Sequence, residues 1–356
     1  MRLSTISSAL VGLAVAQAST IKYSVVPGYF LQDEESTDPS TFDYTAENFG
    51  LIGRAYPADK DSRKHKSLTQ WERFYNQVNK LNDHSPPHVE YKVLFLGRHG
   101  EGYHNAAESY YGTPAWNCYW SELDGNGTST WADAALTPEG SSQALKANAF
   151  WQKEINEQRI HTPDVYYVSP MTRTLQTANL TFTGLDLPKH SASFKPTIKE
   201  LFRESISVHT CDHRRSRNYI HSLFPHWRIE QGFSEEDELW NGVTGESSGA
   251  QDIRSAQALG DVFFSSSKKN SFVSITSHSG EISSLLRVVG HRTFKLNTGS
   301  VIPVLVRAEK VHGKAPVTSV PWDLTPHCTE PPVASVTVCI CPSSAVPVTT
   351  PLATGF

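Results

Sequence analysis

The chain has 356 residues, 38% of them hydrophobic and 19% charged, which suits one large globular domain with decorations or two small ones. A formal net charge of −4 and an isoelectric point near 6.4 give no basic field for nucleic acid, and no polybasic run suits an anionic membrane surface. Neither nucleic acid nor a membrane is therefore expected as a partner.

Residues 1–18 carry one arginine, an apolar run over 9–16 and then Ala16-Gln17-Ala18. This is the pattern of a secretory signal peptide, with an apolar run too short to cross a bilayer. The mature chain is expected to begin near Ser19 and to be secreted, which makes Asn126-Gly-Thr and Asn179-Leu-Thr glycosylation candidates. An oxidising route permits disulfides among Cys118, Cys211, Cys328, Cys339 and Cys341, and the odd count leaves at least one thiol unpaired within the chain. No His/Cys spacing suits zinc and the fifteen histidines are scattered, so a metal site is not expected.

Residues 19–90 read as a polar N-terminal arm with one helix over 68–81, where Trp71, Phe74, Val78 and Leu81 fall at helical spacing. The apolar run VLFLG from Val93 then reads as a buried strand that ends abruptly in Arg98-His99-Gly100. Residues 106–136 follow, dense in Tyr110, Tyr111, Trp116, Tyr119, Trp120 and Trp131 but without sustained periodicity. They are expected to form an aromatic-rich insertion, either a satellite core or a lid that touches substrate. Thr137-Pro138 signals a helix start, with Ala144, Ala147, Trp151 and Ile155 on one face.

A second strand over 164–169 leads into a helix over 171–178 that carries Arg173 in its first turn. A third over 197–202 leads to Arg203-Glu204, and a polar segment follows with Cys211-Asp212-His213-Arg214-Arg215. Helices are expected over 218–224, 247–264 and 281–289, and strands over Phe272–Ser277 and 301–306. Strand and helix alternate through residues 93–306, which implies a three-layer α/β/α sandwich around a mostly parallel sheet. The catalytic domain is expected over 91–307, with an irregular Pro/Val/Ser/Thr-rich tail over 308–356.

In a parallel sheet the strand ends lie on one edge, so Arg98, His99, Arg173, Glu204 and His278 are expected to converge although they are far apart in sequence. Four motifs in this order resemble the histidine phosphatase superfamily, in its phosphoglycerate mutase-like branch. They are Arg98-His99-Gly100 with Asn105, Ser169-Pro170 with Arg173, Gln176 and Thr177, residues 201–204, and Ser277-His278-Ser279-Gly280. Gly245-Glu246-Ser247 is like a further segment of that branch, and residues 211–216 resemble a narrower group of fungal and plant members.

The resemblance implies that His99 attacks phosphorus, that Arg98, Arg173 and His278 hold the phosphoryl oxygens, and that Glu204 acts as acid and then base. It also implies that no metal or organic cofactor is required. The residues by themselves leave Glu200 and Glu101 as alternative acids. Asn105 is expected to contact the phosphoryl group or orient the site. Arg214, Arg215 and Arg217 either bind a distal anionic group of the substrate or pair with the acidic run 235–238. Gly102 stands where mutases of the family carry serine, and Ser279 follows His278 where phytase-type members carry aspartate. The expected activity is a secreted phosphomonoester hydrolase for a small phosphorylated substrate. The alternatives are a mutase, a recruited biosynthetic enzyme and a non-catalytic binding glycoprotein.

Overall fold

The computed structural model describes residues 19–61, 67–189, 191–264, 268–313, 317, 319–333, 339–342 and 346–347; the signal peptide expected over 1–18 lies outside them. Strand β1 (Ser19–Val25) and helix α1 (Gln70–Asp83) precede β2 (Val89–Arg98), from which the sandwich is built. Alternate side chains of β2 feed two cores, as the two-residue period of a strand covered on both faces demands. Val93 and Phe95 pack with Trp71, Phe74, Phe150 and Trp151, while Leu94 and Leu96 pack with Leu259, Ile282 and Leu285. The first set draws on α1 and α4 (Pro138–Lys153), the second on α7 (Ser248–Val262) and α8 (Ser279–Val288).

The seven strands lie in the order β1-β8-β2-β7-β3-β4-β5. Here β3 is Val165–Val168, β4 Thr197–Ile198, β5 Arg228–Ile229, β7 Phe272–Ser277 and β8 Val301–His312; α6 (Arg217–Leu223) precedes β5, and β6 (Thr244–Gly245) lies outside this sheet. Pairings from β2 across to β5 are parallel, and β8 runs against both of its neighbours. The sheet is thus mostly parallel, as the alternation implied. The third strand is shorter than expected, because the chain leaves the sheet after Ile198 and forms a 3-10 turn over Glu200–Phe202.

Two boundaries differ from expectation. The 19–90 segment is no separate arm: β1 pairs along β8 from Ser19–His312 to Val25–Val306, and Phe30, Tyr44 and Phe49 enter the β2 core. These aromatics are spaced irregularly in a polar sequence, so no periodicity betrays them. Likewise the tail does not begin at 308, since β8 continues to His312 against β1. Farther on, the disulfide Cys118–Cys339 ties the C-terminal segment to the insertion and Cys328–Cys341 closes a loop within that segment, which leaves Cys211 free and buried.

The aromatic insertion forms α2 (Tyr103–Tyr111) and α3 (Thr113–Cys118) around a satellite core of Ala107, Trp116, Trp131, Ala134 and Cys211. Asn126 is exposed there in a turn closed by the Gly125–Thr130 bridge. Asn179, in contrast, sits inside α5 (Thr172–Phe182), with Thr181 of its sequon buried.

Candidate active site

The β2 edge delivers its residues through backbone bonds. Arg98 N–H donates to Ser300 O at 2.9 Å, His99 N–H to Ser277 O at 3.0 Å, and Gly299 N–H to His99 O at 2.9 Å. Gly100 then turns the chain against the first turn of α4. A Cβ on Gly100 would lie 2.3 Å from the Gly140 carbonyl oxygen, so only glycine permits this backbone contact. Helix α4 begins there because Thr137 accepts the Gly140 N–H and Pro138 occupies the first position.

His99 is 1% exposed, and its Nδ1 lies 2.7 Å from Gly100 O. A carbonyl only accepts, so Nδ1 carries the proton and Nε2 presents its lone pair. Burial, then Arg173 and Arg98, hold its pKa well below the usual imidazole value. The His278 ring lies 5.2 Å from that of His99, with Nε2 2.7 Å from the buried Ser169 hydroxyl. The same forces, burial first and Arg173 next, lower its pKa.

Arg173 is almost fully buried; its Nη1 donates to Cys211 O at 2.7 Å and Nη2 lies 3.5 Å from Asp212 Oδ1. Helix α5 aims it, and Asp133 starts that helix by accepting from the Thr172 N–H and hydroxyl. Thr177 fixes the helix to the β2 turn, since its hydroxyl receives the Gly100 N–H and donates to Arg173 O. Arg98 donates from Nη1 to Leu296 O. Arg98 Nε, Arg173 Nε and His278 Nδ1 are buried without a hydrogen-bond partner. Buried donors of this kind are normally satisfied, so a cluster of them suits an anion that accepts.

Glu204 lies at the start of α8. Its Oε1 accepts from the Ser205 and Glu281 N–H groups, and Ser279 Oγ lies 3.3 Å from Oε2. Behind it, Arg254 donates to the carbonyls of Leu201, Arg203 and Glu204 and pairs with Glu246 and Glu281. Burial pushes the Glu281 carboxyl up to about 8. The alternative acids are engaged elsewhere: Glu200 is held by Arg203 and Arg214, and Glu101 accepts from the Thr137 hydroxyl.

The substrate-binding expectation for Arg214 needs correction, and its structural alternative holds. Arg214 is 2% exposed and bonds Glu200, Ser234 and the carbonyls of Arg215, Glu235 and Glu236, so it organises the acidic loop. Asn105 turns its Oδ1 to the Gly102 N–H at the start of α2, which fits the orienting role and leaves its Nδ2 hydrogens for a phosphoryl contact. Arg215 is exposed and lies over the Tyr219 ring at 4.6 Å. Donor atoms of His209, Cys211 and Asp212 lie within 4.8 Å of one another. A cation does not suit them, because Asp212 faces Arg173 and burial raises the Cys211 pKa well above that of an ordinary thiol.

The sequence model of the histidine phosphatase superfamily (branch 1) matches residues 94–302, more than half of the chain. The chain belongs to the histidine phosphatase superfamily. Among its relatives, a protein of Arthroderma benhamiae named "Probable phosphoglycerate mutase" is 50% identical over 310 residues, 86% of this chain and 91% of that one. "Phosphomutase-like protein 3" of Candida albicans is 35% identical over 314 residues, 88% of this chain and 89% of that one. A solved phosphoglycerate mutase of Thermus thermophilus is 21% identical, with a TM-score of 0.33, over 60% of this chain and 97% of that one.

The structure brings the His99 and His278 rings within 5.2 Å of each other, with Arg173 and Arg98 beside His99. Sequence reasoning passed over His104, five residues beyond His99 in the same motif, whose ring centroid is 5.3 Å from that of His99. It also passed over Arg254, which no motif signals because it acts through backbone carbonyls.

Proposed function

We propose that the protein hydrolyses phosphomonoesters through a phosphohistidine on His99 and that it does so in the secretory route or outside the cell. The observation that carries this reading is the neutral, Nδ1-protonated His99 beside unpartnered donors of Arg98, Arg173 and His278. In the first step Nε2 bonds to phosphorus as the ester P–O bond breaks, and Glu204 gives the leaving oxygen its proton. In the second, Glu204 takes a proton from water, whose oxygen attacks phosphorus and releases phosphate from His99. The arginines and His278 spread the charge on the phosphoryl oxygens in both steps. The two disulfides support the secreted reading, since such bonds persist in oxidising compartments.

The test offers phosphomonoesters at pH 4 to 8, on the order of the range where carboxylates and histidines titrate, to wild type and to His99→Ala. Phosphate release by wild type alone is expected; release by neither, or by both equally, overturns the hydrolase. Mutase activity is the second reading, favoured by the printed names of the relatives. It would appear as phosphate moved between positions of a primed phosphoglycerate, without net release.

A further inference from the structure

His104 stands second in α2 and is 8% exposed, with its Nδ1 buried and unpartnered. A histidine that merely fills space at this depth normally bonds its buried nitrogen. This one faces the site: its ring centroid lies 5.3 Å from that of His99, and burial, then Arg173, His99 and Arg98, lower its pKa well below the usual value. The ring also accounts for Gly102. That residue has φ −100° and ψ 163°, extended backbone open to any side chain, so conformational freedom is not why it is glycine. A Cβ at Gly102 would fall 2.6 Å from His104 Nδ1 and 2.7 Å from Cε1. The imidazole occupies the space that any side chain at position 102 would need.

We propose that His104 is a third imidazole of the phosphoryl pocket, donating a ring N–H to a phosphoryl oxygen, and that Gly102 is the residue that admits it. This rests on the reading of the site as phosphoryl-binding. A neutral imidazole supplies a donor without placing another fixed cation beside Arg98 and Arg173. The phosphoryl group itself, more than the body of the substrate, is what this corner of the site recognises.

The test is calorimetric titration of the full chain with inorganic phosphate, with a melting temperature for every variant. His104→Phe, which fills the volume without an N–H, is expected to weaken binding by about 10- to 100-fold, the span of a charge-assisted bond. His104→Gln, which keeps an N–H, should recover most of the loss. Gly102→Ala is expected to weaken binding when His104 is present and to have little effect in His104→Ala. A folded His104→Phe that binds phosphate like wild type overturns the proposal, as does a Gly102→Ala effect equal in both backgrounds. Turnover of an aryl phosphate by the same samples separates the two readings: His104-dependent binding without turnover supports this proposal and overturns the hydrolase.

Discussion

Replacing Arg254 with methionine should damage both stability and the acid. The guanidinium holds three carbonyls of the 201–204 segment, makes two bonds to Glu246 and lies 3.1 Å from Glu281. Its side chain is 8% exposed, and those of Glu246 and Glu281 are 2% and 0%. Removing one partner of a buried ion pair costs about 3–5 kcal/mol, here by leaving Glu246 buried without its cation. For a chain of this size that is a fall in melting temperature of roughly 4–7 °C. Calorimetry or circular dichroism reads it. Converting Glu246 and Glu281 to methionine in the same chain should restore much of the loss, since no buried charge then lacks a partner. In the folded fraction, kcat should fall more than KM changes, as Glu204 loses the tether on its carbonyl. An Arg254→Met protein that melts within about 1 °C of wild type, less than 1 kcal/mol on the same scale, would refute the reasoning.

Other perturbations follow from the same contacts. Gly100→Ala should destabilise the fold by about 1–3 kcal/mol or more, as overpacking does, because its Cβ would strike the Gly140 carbonyl; urea unfolding measures it. Removing the Cys118–Cys339 link with paired alanines should cost about 2–5 kcal/mol, seen as a lower melting temperature that reductant no longer changes as much. The pH dependence has two limbs. His99, His104 and His278, with pKa values lowered by burial, give stability present above the unfolded value near 6.5 and lost as pH falls. Glu122 and Glu281, raised by burial to about 8, act oppositely: their stability is present below about 4.5 and lost as pH rises through 8. The melting temperature should therefore be greatest on the acidic side of neutrality, and a maximum at or above pH 8 would contradict these shifts.

Much of this architecture was legible because β2 carries its message locally. Four apolar residues ending in Arg98 and His99 are enough to declare a buried strand and a charged edge, and parallel topology then gathers Arg173, Glu204 and His278. What stayed hidden depends on distant partners. Phe30 and Phe49 join the core from irregular loops, and β1 needs β8 beside it to be a strand at all. The sequence left Arg214 between substrate and the acidic run, because its partners at 234–236 include loop carbonyls with no signature that would decide. Gly102 was visible as a departure from the mutase pattern, but its cause is a ring two residues away that only the helical turn brings back.

The central claim is that His99 carries the phosphoryl group. Rapid quench of the full chain with a phosphorus-labelled aryl phosphate, followed by peptide mapping under alkaline conditions, measures this directly. The expected result is label on the peptide containing His99, formed no more slowly than phosphate is released and absent from His99→Ala. Release of phosphate with no label on His99, or with label on another residue, would contradict the account.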